Sequence, residues 1–313
     1  MKTAVTLDPP LLAGTRPEPP LVEADARSRV LAMVALTKPR IAVMVLVTVA
    51  TGYVLGAHGS ISVARLFLTL VGTALVAGGA SAWNQILERD RDGRMRRTAN
   101  RPLPSGRVAL GEAVAFATVL GVVGVAILAL GVNVLAAGVA ATTFVLYVGL
   151  YTPLKSVTTL NTAVGAIPGA LPPVIGWAAA TGRLGVEPWA LFLIVFLWQF
   201  PHFLAIAWIY RDDYARGGLK MLPSVDPRGG MTGRQAAWHA LLLVPAGLIP
   251  AAAAIGLGGR WYFAGALALG LFYLYFAVRF WLDVNDRTAR KLLRASFLYL
   301  PAVLLLLLLD PAA

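Results

Sequence analysis

The chain has 313 residues, of which 58% are hydrophobic and 13% charged, and its mean hydropathy is +0.73. This composition excludes a soluble globular domain and predicts an all-α polytopic membrane bundle. The absence of cysteine excludes disulfides and thiolate metal sites. The net charge of +12 comes from basic residues in short loops between apolar stretches, so nucleic-acid binding is the weaker interpretation.

The first 30 residues are rich in proline and mixed in charge, as in Pro9-Pro10 and Pro19-Pro20. They lack the short apolar core of a signal peptide. We therefore expect a disordered cytoplasmic arm over residues 1–30 and one intramembrane domain over residues 31–313.

Nine apolar stretches follow, and most approach the roughly 20 residues that a helix needs to cross a bilayer. They are Ile41–Ala57, Leu66–Ile86, Ala109–Leu130, Val134–Tyr151, Leu160–Ala180, Trp189–Tyr210, Trp238–Ile255, Trp261–Leu282 and Ala295–Leu309. With a cytoplasmic N-terminus, nine crossings place 24 of the 27 Lys and Arg residues on the cytoplasmic side. Because this asymmetry follows the positive-inside rule, we expect nine transmembrane helices around a central cavity, with the C-terminus outside.

The second stretch continues directly into a polar segment. Asn84, Glu88 and Asp92 are spaced four residues apart, so they lie within an arc of about 80° on one helix face. Acidic groups at bilayer depth are costly unless a cation compensates them. Oxygen ligands suit Mg²⁺ and the interspersed arginines suit phosphate oxygens, which indicates a site for a metal-bound diphosphate. A solvated, salt-bridged loop is the plainer alternative.

A second polar loop follows the sixth stretch and begins with Tyr210, Arg211, Asp212 and Asp213. Both polar loops come after even-numbered stretches, so both are expected on the cytoplasmic side. The two acidic clusters are then expected to face each other across the central cavity.

These segments resemble the motifs of the UbiA-type intramembrane prenyltransferases, over roughly residues 34 to 310. The segments are Leu36-Thr37-Lys38-Pro39-Arg40, the run from Asn84 through Met95, Arg97 and Thr98 to Arg101-Pro102-Leu103-Pro104, Tyr151-Thr152-Pro153-Leu154-Lys155, Pro172-Pro173 with Gly176-Trp177, Trp198-Gln199-Phe200-Pro201-His202-Phe203, and Asp213-Tyr214 with Met221-Leu222-Pro223. Glu88 stands where Asp is commoner in the family. Ile209, four residues before Asp213, replaces the first acid of a D-x-x-x-D pattern, which is similar to the haem-accepting branch of the family.

The resemblance implies that the intramembrane domain is a prenyltransferase domain. The implied reaction transfers a farnesyl group from farnesyl diphosphate to a vinyl group of haem b, giving haem O, with Mg²⁺ as cofactor. It further implies a bacterial plasma (inner) membrane protein with its active site on the cytoplasmic side. Membrane lipid and a downstream haem-processing enzyme are the other candidate partners, and nucleic acid is not one.

The same resemblance implies roles for individual residues. The metal ligands are Asn84, Glu88, Asp92, Asp212 and Asp213, with Asp90 as a second choice. The substrate-binding residues are Lys38, Arg40, Arg97, Arg101, Lys155 and Tyr214. The catalytic residues are Asn84, Glu88, Asp92, Asp213 and His202. His202 follows Pro201, where a freed backbone carbonyl is available to its N–H, so a purely structural histidine is the alternative to contact with haem.

Two other functions remain open from the sequence. The first is prenyl transfer to a quinone-ring or chlorophyll-type acceptor, which acceptor trials would decide. The second is a transporter that uses the acidic pairs as a cation site. Transporter sites usually lie near the bilayer midplane, whereas these acidic residues cluster at helix ends, which favours an enzyme.

Overall fold

The computed structural model describes residues 26–311, and all regular structure in that range is helical. The helices are α1 (Ala26–Leu36), α2 (Pro39–Gly56), α3 (Val63–Asp92), α4 (Leu110–Gly131), α5 (Val134–Leu154), α6 (Asn161–Thr181), α7 (Glu187–Ile209), α8 (Arg211–Arg216), α9 (Leu222–Val225), α10 (Gly230–Leu248), α11 (Arg260–Leu282) and α12 (Asp286–Leu309). Residues 1–25 of the predicted arm lie outside the described range. Residues 26–30, which were expected to be disordered, belong to α1.

Eight helices within residues 26–311 are long and apolar enough to cross a membrane, namely α2 to α7, α11 and α12. They coincide with eight of the nine predicted stretches, which confirms an all-α membrane bundle. The remaining stretch, Trp238–Ile255, overlaps α10, which starts earlier, at Gly230, and carries Arg234 and His239. The count of nine crossings and the sides of the two termini therefore stay predictions.

The helices pack as two halves that close on each other. One half is α2 to α6, and the other contains α7, α10, α11 and α12. The halves meet where α6 packs on α7 and where α2 packs on α12, and α6 and α7 are the most enclosed helices of the described chain. Large apolar side chains such as Val122, Leu130 and Trp261 point outward, which is the pattern of a surface solvated by lipid.

Close backbone contact explains why Gly176 in α6 is a glycine. A Cβ atom on Gly176 would lie 1.9 Å from the carbonyl oxygen of Val49 in α2. No side chain fits at this distance, so only glycine allows α2 and α6 to approach this closely. The same helix breaks at Leu171, because Pro172 and Pro173 follow and Pro172 has no N–H to continue the helical hydrogen bonds.

Two helices carry polar groups to the same end of the bundle. α3 has 30 residues and is therefore about 45 Å long, which exceeds the roughly 30 Å hydrocarbon core. Its C-terminal turns thus extend toward the membrane surface. α5 changes to a π-helix over Leu146–Tyr151, and the hydroxyl of Thr152 donates to the carbonyl of Tyr147 at 2.8 Å.

Candidate active site

The last three turns of α3 carry Asn84, Glu88 and Asp92, which we call the oxygen row. The helix is unbroken to Asp92, so residues four apart lie one above the other on one face. Their exposures are only 1%, 4% and 0%. The prediction of one shared helix face is confirmed, and that face is turned into the protein.

Both carboxylates of the oxygen row are paired with cations from other segments. Nζ of Lys155, just after α5, lies 2.9 Å from Oε1 of Glu88. Nη1 of Arg101 donates to Oδ2 of Asp92 at 2.6 Å. Burial opposes the charge on Lys155, but the phenol of Tyr151 and the carboxylate of Glu88 raise its pKa above the ordinary value. Each pair thus compensates a carboxylate that would otherwise be costly to bury.

Lys38 supplies the third cation from the connection between α1 and α2. Its Nζ donates to Oδ1 of Asn84 at 2.8 Å. Its backbone is left-handed, with φ of 51°, immediately before Pro39, a conformation that is unfavourable for a residue with a Cβ atom. Burial lowers the pKa of Lys38 to about 7, and the positive charges of Arg101 and Lys155 contribute to that fall. Lys38 is thus a weaker base than an ordinary lysine, beside two other cations.

Two polar residues that the sequence analysis does not assign to the site also hold the row in place. Nδ2 of Asn84 donates to the hydroxyl of Thr152 at 3.2 Å. Nε2 of Gln85 donates to the carbonyl of Leu36 at 2.8 Å, which ties the end of α1 to α3. Thr152 lies in the segment Tyr151–Lys155 that resembles a family motif, and Gln85 is a second amide inside an apolar span. Both residues could therefore have been assigned to the site from the sequence.

The second loop contributes one buried acid. Asp213 accepts hydrogen bonds from the backbone N–H groups of Arg96 and Arg97, at 3.2 and 3.3 Å, and from the side chain of Arg216. Burial alone would raise the pKa of Asp213, but these hydrogen bonds hold it below its ordinary value. Asp212 is exposed. The two polar loops are therefore in direct contact, and the expected central cavity between their acidic clusters stays a prediction.

The remaining predicted site residues lie at an exposed rim. The guanidinium of Arg97 lies over the rings of Tyr210 and Tyr214, 5.1 and 5.7 Å from their centroids. Asp90 is exposed and pairs with the neighbouring arginine at 3.5 Å. Arg40 is also exposed. The four predicted site residues here, Arg97, Tyr214, Asp90 and Arg40, are all less buried than the oxygen row.

The structure bears on the predicted metal set in two ways. Within residues 26–311, no three Asp, Glu or His side chains come close enough together to hold one metal ion. The five predicted ligands are therefore not gathered into one cluster. Oδ1 of Asp92, however, is buried and has no hydrogen-bond partner in the described chain, and the row offers only oxygen donors. Such a set suits Mg²⁺.

His202 lies in α7 and contacts α12. Its Nδ1 is 2.7 Å from the hydroxyl of Ser296, and its ring stacks on Trp198 with centroids 4.8 Å apart. The hydroxyl of Ser296 donates to the carbonyl of Leu293 at 2.6 Å, which favours the tautomer in which Nδ1–H of His202 donates to that hydroxyl. The expected partner, a carbonyl freed by Pro201, is not the one that Nδ1 uses. Nε2 is then the nitrogen with a lone pair.

Comparison with known proteins identifies the family of this chain. The model of the UbiA prenyltransferase family matches residues 45–300. The chain belongs to the UbiA prenyltransferase family. It is therefore a prenyltransferase, as the motif resemblance implies, and an integral membrane protein.

Similar sequences and structures agree with this assignment. A protoheme IX farnesyltransferase of Solibacter usitatus is 49% identical over 88% of this chain and 97% of its own. One of Koribacter versatilis is 42% identical over 88% and 91%. A structure of digeranylgeranylglyceryl phosphate synthase has a TM-score of 0.75 at 18% identity, over 90% of this chain and 98% of its own. A UbiA homologue of Archaeoglobus fulgidus, bound to DMAPP and Mg²⁺, has a TM-score of 0.64 at 18% identity, over 88% and 98%.

Proposed function

We propose that this UbiA-family prenyltransferase transfers a farnesyl group from farnesyl diphosphate to a vinyl group of haem b. The relatives named protoheme IX farnesyltransferase, 42% to 49% identical over nearly their whole length, support this donor and acceptor. We also propose that the protein lies in a bacterial plasma membrane, with the site at the cytoplasmic face, where the basic loops gather. A downstream haem-processing enzyme remains a candidate partner.

The observation that carries the proposal is the match between three oxygen donors and three cations. Asn84, Glu88 and Asp92 are each in contact with one cation. A metal-bound diphosphate needs both kinds of group, because oxygens hold the metal and cations hold the phosphates. We infer that substrate binding exchanges the partners, so that the cations turn to phosphate while the oxygens are neutralised by the metal.

The proposed roles follow from this exchange. Lys38, Arg101 and Lys155 bind the diphosphate and stabilise its charge as it leaves. Mg²⁺, when bound, would add Lewis-acid stabilisation of the same leaving group. The oxygen row would hold the metal, and the unpartnered, buried Oδ1 of Asp92 is the atom that supports this assignment.

The proposed prenyl transfer has three steps. The allylic C–O bond breaks and its electron pair leaves with the diphosphate. The π electrons of the vinyl group form the new C–C bond to the allylic carbon, and the cation that results lies beside the porphyrin ring. Water adds to this cation with loss of a proton, which gives a hydroxyethylfarnesyl side chain. The apolar helices exclude water until the C–C bond has formed.

We propose His202 as a haem contact. Its Nδ1–H is used by Ser296, so its Nε2 has a lone pair that can accept a hydrogen bond or bind iron. The stacked Trp198 fixes the plane of the ring. A purely structural neutral histidine would also have one nitrogen with a lone pair, so the variant His202→Ala is needed to separate the two roles.

The decisive experiment is a product assay. Purified protein is incubated with haem b, farnesyl diphosphate and Mg²⁺, with and without a chelator, and the pigments are measured by mass. Farnesylated haem that disappears with chelator is the expected result. If diphosphate is released while haem b stays intact, the acceptor is not haem, and a quinone or chlorophyll-type acceptor is favoured. If a folded preparation gives neither farnesylated haem nor free diphosphate, the transporter alternative is favoured.

A further inference from the structure

Asp213 is surrounded by donors from two different loops. Its Oδ1 accepts from the backbone N–H of Arg96 and from Arg216, and its Oδ2 accepts from the backbone N–H of Arg97. The acid thus joins α8 to the segment that directly follows α3. Two adjacent backbone N–H groups on one carboxylate fix the backbone of that segment, and not merely one side chain.

Other contacts fasten the same two loops. Met95 is 2% exposed and packs with Leu219 and Met221, and its side chain also lies close to Gly217. The backbone N–H of Lys220 donates to the carbonyl of Lys155 at 2.7 Å. The second loop therefore closes over the cation that pairs with Glu88, as well as over the segment that follows Asp92.

The fixed backbone carries Arg97, whose guanidinium has no acidic partner in the described part of the chain. The guanidinium lies over the rings of Tyr210 and Tyr214. Lys38, by contrast, already has Asn84 as a partner. A cation held by backbone and by two rings, with its donors unused by acids, is arranged in advance for an anionic group of the substrate.

We propose that Asp213 is a positioning residue, a clasp between the two polar loops that orients Arg97 toward the prenyl diphosphate. Loss of its hydrogen bonds to the backbone N–H groups of Arg96 and Arg97 would release the segment that carries Arg97. Only the kinetic test of the clasp rests on the proposed function. Its structural test needs no substrate or metal.

The structural test uses the absence of cysteine in the natural sequence. Spin labels are placed on the exposed positions Arg94→Cys and Ala215→Cys, one in each loop, and their distance distribution is measured in metal-free protein. The clasp predicts a narrow distribution that broadens in Asp213→Asn, because an amide can accept only one of the two N–H groups. The control Asp283→Asn, an exposed acid of another loop, should leave it narrow. An unchanged distribution in Asp213→Asn overturns the proposal.

The kinetic test uses Arg216→Gln, which removes a partner of Asp213 at an exposed position, outside the packed interior. The clasp predicts a KM for farnesyl diphosphate that rises severalfold, because Asp213 loses one of its three partners, while kcat stays within about twofold of wild type. An unchanged KM refutes the clasp. Wild-type turnover in the same assay keeps this outcome separate from failure of the proposed function.

Discussion

The ion pair between Lys155 and Glu88 allows the exchange of partners to be tested by a double-mutant cycle. The two side chains are 12% and 5% exposed and 2.9 Å apart. Removing one partner leaves a buried charge uncompensated, at a cost of about 3–5 kcal/mol in the free energy of unfolding. Lys155→Met and Glu88→Gln should therefore each destabilise the protein. The double variant should regain most of that stability, because neither member of the pair is left as an unpaired buried charge.

Activity should not return with stability. Lys155 is assigned to the diphosphate and Glu88 to the metal, so the double variant lacks one group of each kind. Loss of one preorganised electrostatic group commonly lowers turnover by about 10² to 10³. Thermal unfolding in detergent without substrate, together with farnesyl transfer on the same preparations, gives both quantities. The exchange is refuted if the double variant regains near wild-type turnover, since the pair would then be a structural salt bridge only.

A matched exposed pair provides the control. Arg211 and Asp286 are 2.8 Å apart, but their side chains are 32% and 48% exposed. An exposed pair contributes about 1 kcal/mol or less, so Asp286→Asn should barely change the unfolding temperature or the turnover. Single variants at Lys155 and Glu88 that unfold no earlier than Asp286→Asn would show that the buried pair is not formed.

Three further variants test the site. Asp92→Asn should abolish turnover while the protein remains folded in detergent, and near-normal activity would remove Asp92 from the metal site. His202→Ala should lower transfer to haem more than binding of farnesyl diphosphate, whereas an equal loss of both would favour a structural histidine. Thr152→Val should lower the free energy of unfolding by about 1 kcal/mol and raise the KM for farnesyl diphosphate, because Asn84 loses a hydrogen bond. Thr118→Val in α4, which loses only a bond to its own helix, is the control.

The oxygen row was predictable because its geometry is local. Spacing of four residues on an unbroken helix fixes a common face, whatever the rest of the chain does. The cations were named from motifs, but their pairing was not predictable. Lys38 is 46 residues from its partner Asn84, and only the packing of α1, α3 and α5 decides which cation meets which oxygen.

Boundaries and caps were harder to predict for a related reason. The apolar stretch at Trp238 predicts where hydrophobicity begins, not where α10 begins. The helix starts at Gly230 because a carboxylate oxygen of Asp226 accepts the N–H of Thr232 at 2.8 Å. In the same way, the contact between the two polar loops at Asp213 was not predictable, because its partners Arg96 and Arg97 use backbone groups that no side-chain pattern reveals.

Two irregular stretches of backbone lie next to the oxygen row, and each leads to a cation. Lys38 has a left-handed backbone, which costs about 1–3 kcal/mol for a residue with a Cβ atom. The π-helical turn Leu146–Tyr151 precedes Lys155 and adds one residue to the helix, which rotates everything after it by about 100°. Regular helices would aim these two ammonium groups elsewhere. The fold therefore departs from regular geometry where cations from two sides of α3 must reach one buried face.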